Sequence, residues 1–244
     1  MNKLSIVIPV FNEEKYIEHT IQTVINADSP GLIKEIVIVD DGSKDNTVKL
    51  ITKEINRFKK DHNKKYSFKT IFKKNNEGKG AALRDGFKST TGDIVLIQDA
   101  DLEYNPEDYP TLLEPFIRNN ADVVYGSRFI SNRPHRVLYF WHSQMNLLLT
   151  TLSNMLTNLN LTDMETGYKV FKGDLIRNIS TKLQSNRFGF EPEITARISK
   201  IKGVKIYEVG ISYAGRTYEE GKKINWKDGV KAFWEIIKFN LFTN

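Results

Sequence analysis

Cysteine is absent from this sequence of 244 residues. Its absence excludes disulfide bonds, a thiolate nucleophile, and zinc or iron–sulfur centres with cysteine ligands. It also fits a reducing compartment, so we expect a cytoplasmic protein. The N-terminus shows no signal-peptide pattern of a basic head, an apolar run and a small-residue cleavage site, and no secretion is expected.

The sequence also lacks a long stretch that is apolar on all sides. Its longest uncharged stretch is 137–162, which is long enough to span a membrane. However, His, Ser, Gln, Asn and Thr residues interrupt this stretch, and its apolar residues recur at helical spacing, as at Trp141, Met145, Leu148 and Leu152. The pattern predicts an amphipathic helix that does not cross a membrane.

The charge balance is moderately basic. Lysine and arginine number 36 against 30 aspartate and glutamate residues, which gives a net charge of +6. The charge allows an anionic partner such as a nucleotide, a nucleic acid or a membrane surface. We expect no nucleic acid, because acidic residues gather at the predicted strand ends described below.

Short β-rich apolar runs alternate with amphipathic segments in the first half of the chain. The runs predict strands at 4–10, 35–39, 66–72, 93–98 and 121–126, and the segments between them predict helices at 14–26, 45–58, 79–89 and 106–118. This alternation predicts an α/β fold with three layers and a mostly parallel sheet. After residue 127 we expect the amphipathic helix within 137–162, a helix near 191–202, a strand at 205–211 and a last helix from 226.

Acidic residues follow several predicted strands, at the edge where parallel sheets bind their ligands. The segments 9–14 and 40–43 are two examples, but each also suits a turn that leads into a helix. The most informative acids are Asp99, Asp101 and Glu103, which follow a buried strand. If the chain stayed extended, alternation would place all three on one face. Such oxygen ligands suit Mg²⁺ or Mn²⁺ bound together with substrate phosphates.

Basic residues follow the later strands and could bind the same phosphates. They are Arg128, Arg133, Arg136, Arg216, Lys222 and Lys223. An arginine offers two parallel N–H donors that match phosphate oxygens. Residues 9–13, at the end of the first predicted strand, contain no glycine-rich phosphate loop. The missing loop disfavours a nucleotidyltransferase.

Six motifs together resemble the inverting family 2 glycosyltransferases, in particular the dolichyl-phosphate mannose and glucose synthases. The motifs are Pro9–Glu14, Asp40–Ser43, Asn76–Ala82, Asp99–Leu102, Gly126–Arg128 and the spacing of Arg216 and Lys222. They occur in the family's order, and the resemblance covers about residues 3–235. It implies one GT-A-like domain over 1–244, with a nucleotide-sugar half at about 1–128 and an acceptor half at about 129–244.

The resemblance also implies roles for single residues. Those implied to surround the nucleoside are Pro9, Phe11, Glu13, Val39 and Asp41. Those implied to bind the diphosphate and a metal ion are Asp99, Ala100, Asp101 and Glu103, and those implied to bind donor phosphates are Arg128, Arg216 and Lys222. Asp101 and Arg128 would thereby act in catalysis.

The implied reaction is metal-dependent inverting transfer of a hexose from a GDP-mannose or UDP-glucose type of donor to a polyprenyl or dolichyl phosphate. The phosphate oxygen of that acceptor is already anionic and needs no strong base. The alternative acceptor is a saccharide hydroxyl, for which Asp163 or Glu165 would serve as the base. Either acid could equally cap a helix or pair with a lysine.

The last predicted helix combines aromatic and basic residues. It carries Trp226, Phe233 and Trp234 among lysines. Such a helix suits peripheral contact with a membrane interface that holds a lipid acceptor. The alternative is a terminal helix that docks on its own core.

Overall fold

The apolar runs form strands and the amphipathic segments form helices in the computed structural model, which describes residues 1–59, 65–101, 103–130, 136–137, 139–215 and 226–243. In these residues the strands are β1 (Lys3–Val10), β2 (Ile33–Asp40), β3 (Tyr66–Phe72), β4 (Ile94–Ile97), β5 (Val123–Ser127), β6 (Lys169–Lys172) and β7 (Ile206–Gly210). The helices are α1 (Ile17–Asn26), α2 (Thr47–Lys59), α3 (Lys79–Ser89), α4 (Tyr109–Asn119), α5 (Phe140–Thr157), α6 (Gly173–Ser180), α7 (Phe190–Ser199) and α8 (Trp226–Leu241).

The strands of the described chain form one sheet in the order β3-β2-β1-β4-β6-β5-β7. Neighbouring strands are parallel, except that β6 runs antiparallel to both β4 and β5. Strand β5 therefore joins β4 only through β6. The predicted α/β fold with a mostly parallel sheet is confirmed.

Strand residues alternate between two apolar layers, one on each face of the sheet. Leu4, Ile6 and Ile8 of β1 belong to the layer that also holds residues of α1, α2 and α4. Val7 of the same strand belongs to the layer that holds residues of α3, α6, α7 and α8. Because both faces are covered, the strands are continuous apolar runs rather than alternating ones.

Strand β6 and helix α6 were not predicted. The β6 sequence begins and ends with lysine, at Lys169 and Lys172, and has only four residues. It becomes a strand because backbone groups of both β4 and β5 pair with it. Helix α5 ends before the uncharged stretch does, since Asn158 adopts the left-handed conformation (φ 56°) that terminates helices.

Candidate active site

A cavity of about 980 Å³ opens at the carboxyl ends of β1, β2 and β4, the edge where parallel α/β sheets bind ligands. Its volume is at the upper end of the range for small-molecule sites. Most of the predicted site residues line it, namely Pro9, Phe11, Glu13, Asp41, Asp99, Ala100, Asp101, Glu103, Arg128 and Glu165. The fold thus brings the separate motifs to one place.

One predicted nucleoside contact does not line the cavity with its side chain, and its role stays a prediction. The side chain of Val39 is fully buried in the apolar layer under α3 and does not line the cavity. Strand alternation points Val39 toward α3, where it packs against Gly86. Four predicted phosphate-binding residues lie outside the described residues: Arg133, Arg216, Lys222 and Lys223.

The acidic loop after β4 does not continue the strand. Strand β4 ends at Ile97, and the buried side chain of Gln98 folds the loop back. The Gln98 Nε2 donates to the carbonyls of Asp99 (3.0 Å) and Tyr104 (3.2 Å), while its Oε1 accepts from the hydroxyl of Tyr168 (2.8 Å). The extended chain on which the alternation of the three acids depends therefore ends at Ile97.

The predicted set of three metal ligands stays a prediction, and in this geometry the third member contacts a tyrosine. The Glu103 Oε2 accepts a hydrogen bond from the hydroxyl of Tyr213 (2.8 Å). In the described part of the chain, no three acidic or histidine side chains converge to hold a metal ion. Asp99 and Asp101 both line the cavity. Two carboxylates suit Mg²⁺ or Mn²⁺ when substrate phosphates and waters complete the coordination shell, so these residues fit such an ion.

Lys79, at the start of α3, is a site residue that the sequence did not single out. Its Nζ lies 2.9 Å from Asp99 Oδ1 and 3.2 Å from Glu191 Oε1, and all three residues line the cavity. Burial alone would lower the pKa of Lys79, but the two carboxylates outweigh it and raise that pKa. Lys79 is therefore a permanent positive charge beside Asp99.

Arg128 forms a buried ion pair with Asp163. Arg128 Nε lies 2.6 Å from Oδ2 and Nη2 lies 2.7 Å from Oδ1, and the Asp163 side chain has no exposed surface. Arg128 also donates to Asn146 Oδ1 (3.1 Å) and stacks over the ring of Tyr213, with Cζ 5.1 Å from the ring centroid. Its orientation at the cavity wall is thereby fixed.

Glu165 lines the cavity in a different electrostatic setting. Its Oε1 is buried and has no hydrogen-bond partner in the described structure. Burial, together with the charge of Glu191, raises the pKa of Glu165 to about 8. Nearby, burial lowers the pKa of Lys169, whose Nζ donates to the carbonyls of Met164 (3.0 Å) and Thr166. Glu165 is therefore mostly protonated at neutral pH.

Asp41, a predicted nucleoside contact, already bonds to other groups of the protein. Its Oδ2 accepts hydrogen bonds from the backbone N–H groups of Gly78 (2.6 Å) and Glu77 (3.1 Å), and its Oδ1 lies 3.1 Å from Lys73 Nζ. These bonds fix the loop that precedes α3 against the end of β2. Asp41 therefore shapes this end of the cavity.

Helices α5 and α8 line a part of the cavity that we call its apolar end, although α5 also contributes the polar side chains His142 and Asn146 there. Trp141, Met145 and Leu149 of α5 line it, and so does Ala232 of α8. Sequence reasoning assigned these helices no cavity contacts. Their helical spacing was visible, but which residues of each stripe face a cavity depends on how the two helices pack.

The same two helices also expose large apolar side chains. On α5 these are Phe140, Trp141, Leu147, Leu148 and Met155, and on α8 they are Val230, Phe233, Trp234 and Leu241. Ala232, Ile236 and Phe239 of α8 are buried, so this helix also docks on the core. In the described residues, no helix has the length and apolar character needed to cross a membrane.

Comparison with known proteins identifies the family. Residues 5–180 match the family model described as "Glycosyl transferase family 2". The chain belongs to this family. It is a glycosyltransferase, as the resemblance of its six motifs implied.

Curated relatives of this family 2 glycosyltransferase include enzymes named for dolichyl phosphate. The UDP-N-acetylglucosamine–dolichyl-phosphate N-acetylglucosaminyltransferase of Methanococcus voltae is 28% identical over 245 residues, 97% of this chain and 95% of that protein. The dolichol-phosphate mannosyltransferase of Pyrococcus furiosus is 36% identical over 128 residues, 52% of this chain and 34% of that protein. The resemblance to the dolichyl-phosphate branch is confirmed.

Solved structures support the GT-A-like fold. Glucosyl-3-phosphoglycerate synthase from Mycobacterium tuberculosis, solved with Mn²⁺, UDP and glucosyl-3-phosphoglycerate, superposes with a TM-score of 0.71. The match covers 98% of this chain and 80% of that chain, at 18% identity. The same synthase was solved with Mg²⁺ and UDP, and it superposes with a TM-score of 0.68.

Proposed function

We propose that this family 2 glycosyltransferase transfers a hexose from a nucleoside diphosphate sugar to a polyprenyl phosphate. The observation that carries the proposal is the lining of one cavity, which includes Asp99 and Asp101 (the carboxylate or donor end) and, on α5, Trp141 and Met145 (the apolar end). A diphosphate with its metal ion suits the carboxylate end. An isoprenoid chain suits the apolar end, which is formed by α5 and α8.

The acceptor chemistry needs no proton transfer. A phosphate oxygen of the polyprenyl phosphate attacks the anomeric carbon, and the bond from that carbon to the donor diphosphate breaks. The nucleoside diphosphate leaves with the bonding electron pair, and the anomeric configuration inverts. Lys79 supports this step because its fixed positive charge lies beside Asp99, where negative charge develops on the leaving group.

A divalent cation fits the donor end of the cavity. Asp99 and Asp101 would hold Mg²⁺ or Mn²⁺, which when bound would neutralise diphosphate charge. Solved relatives of the same fold that contain Mn²⁺ or Mg²⁺ together with UDP support this assignment. The curated relatives named for dolichyl phosphate support the choice of acceptor.

Transfer to a saccharide hydroxyl is the competing proposal, and it needs a base. Asp163 is unsuited to this role, because Arg128 holds both of its carboxylate oxygens and Asp163 does not line the cavity. Glu165 is the remaining candidate, since its Oε1 is buried without a partner at the cavity wall. For this role Glu165 would have to be ionised, and its raised pKa opposes that at neutral pH.

Peripheral membrane contact is part of the proposal. The exposed apolar residues of α5 and α8 would lie in the membrane interface, which brings the cavity's apolar end to the lipid. We place the enzyme on the cytoplasmic face of the membrane. The absence of cysteine, which fits a reducing compartment, supports this location.

Transfer assays with purified protein test the proposal. GDP- and UDP-sugars are offered with Mn²⁺ and either undecaprenyl phosphate, dolichyl phosphate or a saccharide. We expect a glycosylated lipid phosphate, and we expect the Glu165→Gln variant to retain most of that transfer. Product on the saccharide alone, lost in Glu165→Gln, would establish the competing reaction instead.

A further inference from the structure

The α6–α7 loop, residues 181–189, places Arg187 at the cavity wall. The side chain of Glu193 on α7 is fully buried and binds the backbone of this loop. The Glu193 carboxylate accepts hydrogen bonds from the backbone N–H groups of Gln184 (2.9 Å) and Ser185 (2.7 Å), and Arg197 Nε lies 2.8 Å from it. A buried carboxylate with three such partners makes the loop a fixed element of the site.

The same loop is pressed against the start of α3. The Ala81 N–H donates to the carbonyl of Asn186 (3.1 Å). A Cβ on Gly78 would lie 2.3 Å from the Asn186 carbonyl oxygen, and one on Gly80 would lie 2.3 Å from that of Ser185. Only glycine permits this approach, so the sequence of the α3 start is matched to the position of the loop.

Arg187 differs from the other two basic residues of the described cavity wall in its charged surroundings. Among the described lining residues, the carboxylates are Glu13, Asp41, Asp99, Asp101, Glu103, Glu165 and Glu191, and the lysines and arginines are Lys79, Arg128 and Arg187. Lys79 and Arg128 are each paired with carboxylates. Arg187 is exposed and makes only a long hydrogen bond to Asn76 Oδ1 (3.5 Å), and no described carboxylate lies within ion-pairing distance of it.

We infer that Arg187 binds a phosphate group of the sugar-nucleotide donor. Its guanidinium presents two N–H donors to an anion at a cavity whose other described charges are mostly negative. Its neighbours Asn76 and Gly78 lie beside Asp41, a predicted nucleoside contact, whose Oδ2 accepts from the Gly78 N–H (2.6 Å). The inference rests on the proposed function, because it takes a nucleoside diphosphate sugar as the donor.

Calorimetry with Mn²⁺ present tests this role, using UDP, GDP, uridine and guanosine. For the diphosphate that the wild type binds, we expect Arg187→Gln to weaken affinity about tenfold or more, as loss of a charge-assisted hydrogen bond predicts. Arg187→Lys is expected to retain part of the affinity. Affinity for the nucleoside is expected not to change. Arg118→Gln, which removes an exposed arginine on α4, is the matched control and is expected to bind like the wild type.

The outcomes separate the inference from the proposed function. Unchanged diphosphate affinity in Arg187→Gln overturns the inference, and so does an equal loss of nucleoside affinity, which would mean a general disturbance of the site. An effect confined to the KM for polyprenyl phosphate also overturns it, since Arg187 would then belong to the acceptor site. A wild type that binds neither diphosphate overturns both proposals. Arg187-dependent diphosphate binding without transfer to polyprenyl phosphate supports the inference and overturns the proposed acceptor.

Discussion

The guanidinium of Arg128 and the carboxylate of Asp163 meet in a two-pronged ion pair, with N–O distances of 2.6 and 2.7 Å, although 35 positions separate them in the chain. The backbone N–H of Arg128 also donates to Asp163 (3.1 Å). Asp163 therefore holds Arg128 in position at the cavity wall. Its part in the site is structural, and the base role considered from the sequence does not suit it.

Replacement of Asp163 by Asn is expected to destabilise the protein by about 3 kcal/mol. The reason is that the change leaves a buried guanidinium without its counter-charge. Urea unfolding measures the loss. The control is Glu114→Gln, which breaks the exposed pair with Arg118 and should cost less than about 1 kcal/mol. Equal effects of the two changes would contradict the structural role of the Arg128–Asp163 pair.

Asp101→Asn is expected to abolish the metal-dependent part of nucleoside diphosphate binding while the fold is kept. Asp101 lies in the loop after β4, and its Oδ1 accepts from the backbone N–H of Glu103 (3.4 Å) within that loop. Calorimetry measures the affinity for the nucleoside diphosphate with and without Mn²⁺. The increase in affinity that Mn²⁺ causes should be smaller in the variant by at least about tenfold. Asp174→Asn, at a fully exposed carboxylate on α6, should leave that gain unchanged. If Asp101→Asn binds as the wild type does with Mn²⁺, Asp101 is not a metal ligand.

Stability should depend on pH through Glu165. Its pKa is raised to about 8 in the folded protein, so the folded state keeps a proton that the unfolded state releases above about pH 4.5. The free energy of unfolding should therefore fall as pH rises from about 4.5 to 8. Glu165→Gln removes this penalty, and the variant should gain stability relative to wild type between pH 5 and pH 8. Urea unfolding at pH 5 and pH 8 gives the free energy of unfolding of both proteins. If the variant and the wild type differ by the same amount at the two pH values, the pKa of Glu165 is not raised.

Trp234→Glu is expected to reduce binding to anionic vesicles several-fold, because it places a charge on the exposed apolar face of α8. Removing all of α8 would be a poorer test, since Ala232, Ile236 and Phe239 are buried and their loss would disturb the core. Ile117→Glu on α4 is the matched control, because both side chains are 57% exposed. Vesicle cosedimentation compares the two. Equal binding of both variants would argue against membrane contact through α8.

The positions of the strands and of the site edge could be predicted from local patterns. Apolar runs predicted every described strand except β6, and the strand ends predicted where Asp41, Asp99 and Arg128 would gather. The burial of the Val39 side chain shows the limit of that reasoning. When both faces of a sheet are covered, a buried residue can lie next to a ligand or under a helix, and periodicity does not distinguish the two.

Pairings between distant residues could not be predicted. Lys79 contacts Asp99 and Glu191 only because α3, the loop after β4 and the start of α7 converge. The turn at Gln98 likewise depends on Tyr168, a residue far along the chain. Each such contact joins residues that are far apart in the sequence and meet only in the folded protein. Local sequence patterns therefore do not predict it.

The antiparallel strand β6 also bears on the order in which the chain folds during synthesis. The ribosome releases β5 before β6, yet in the described sheet β5 pairs only with β6 and β7. The parallel pairings among β1 to β4 join residues that all precede β5, whereas β5 has no described partner strand until residues 169–172 are synthesised. The ion pair of Arg128 and Asp163 therefore forms late, and the cavity is completed only after the segment around Glu165 has left the ribosome.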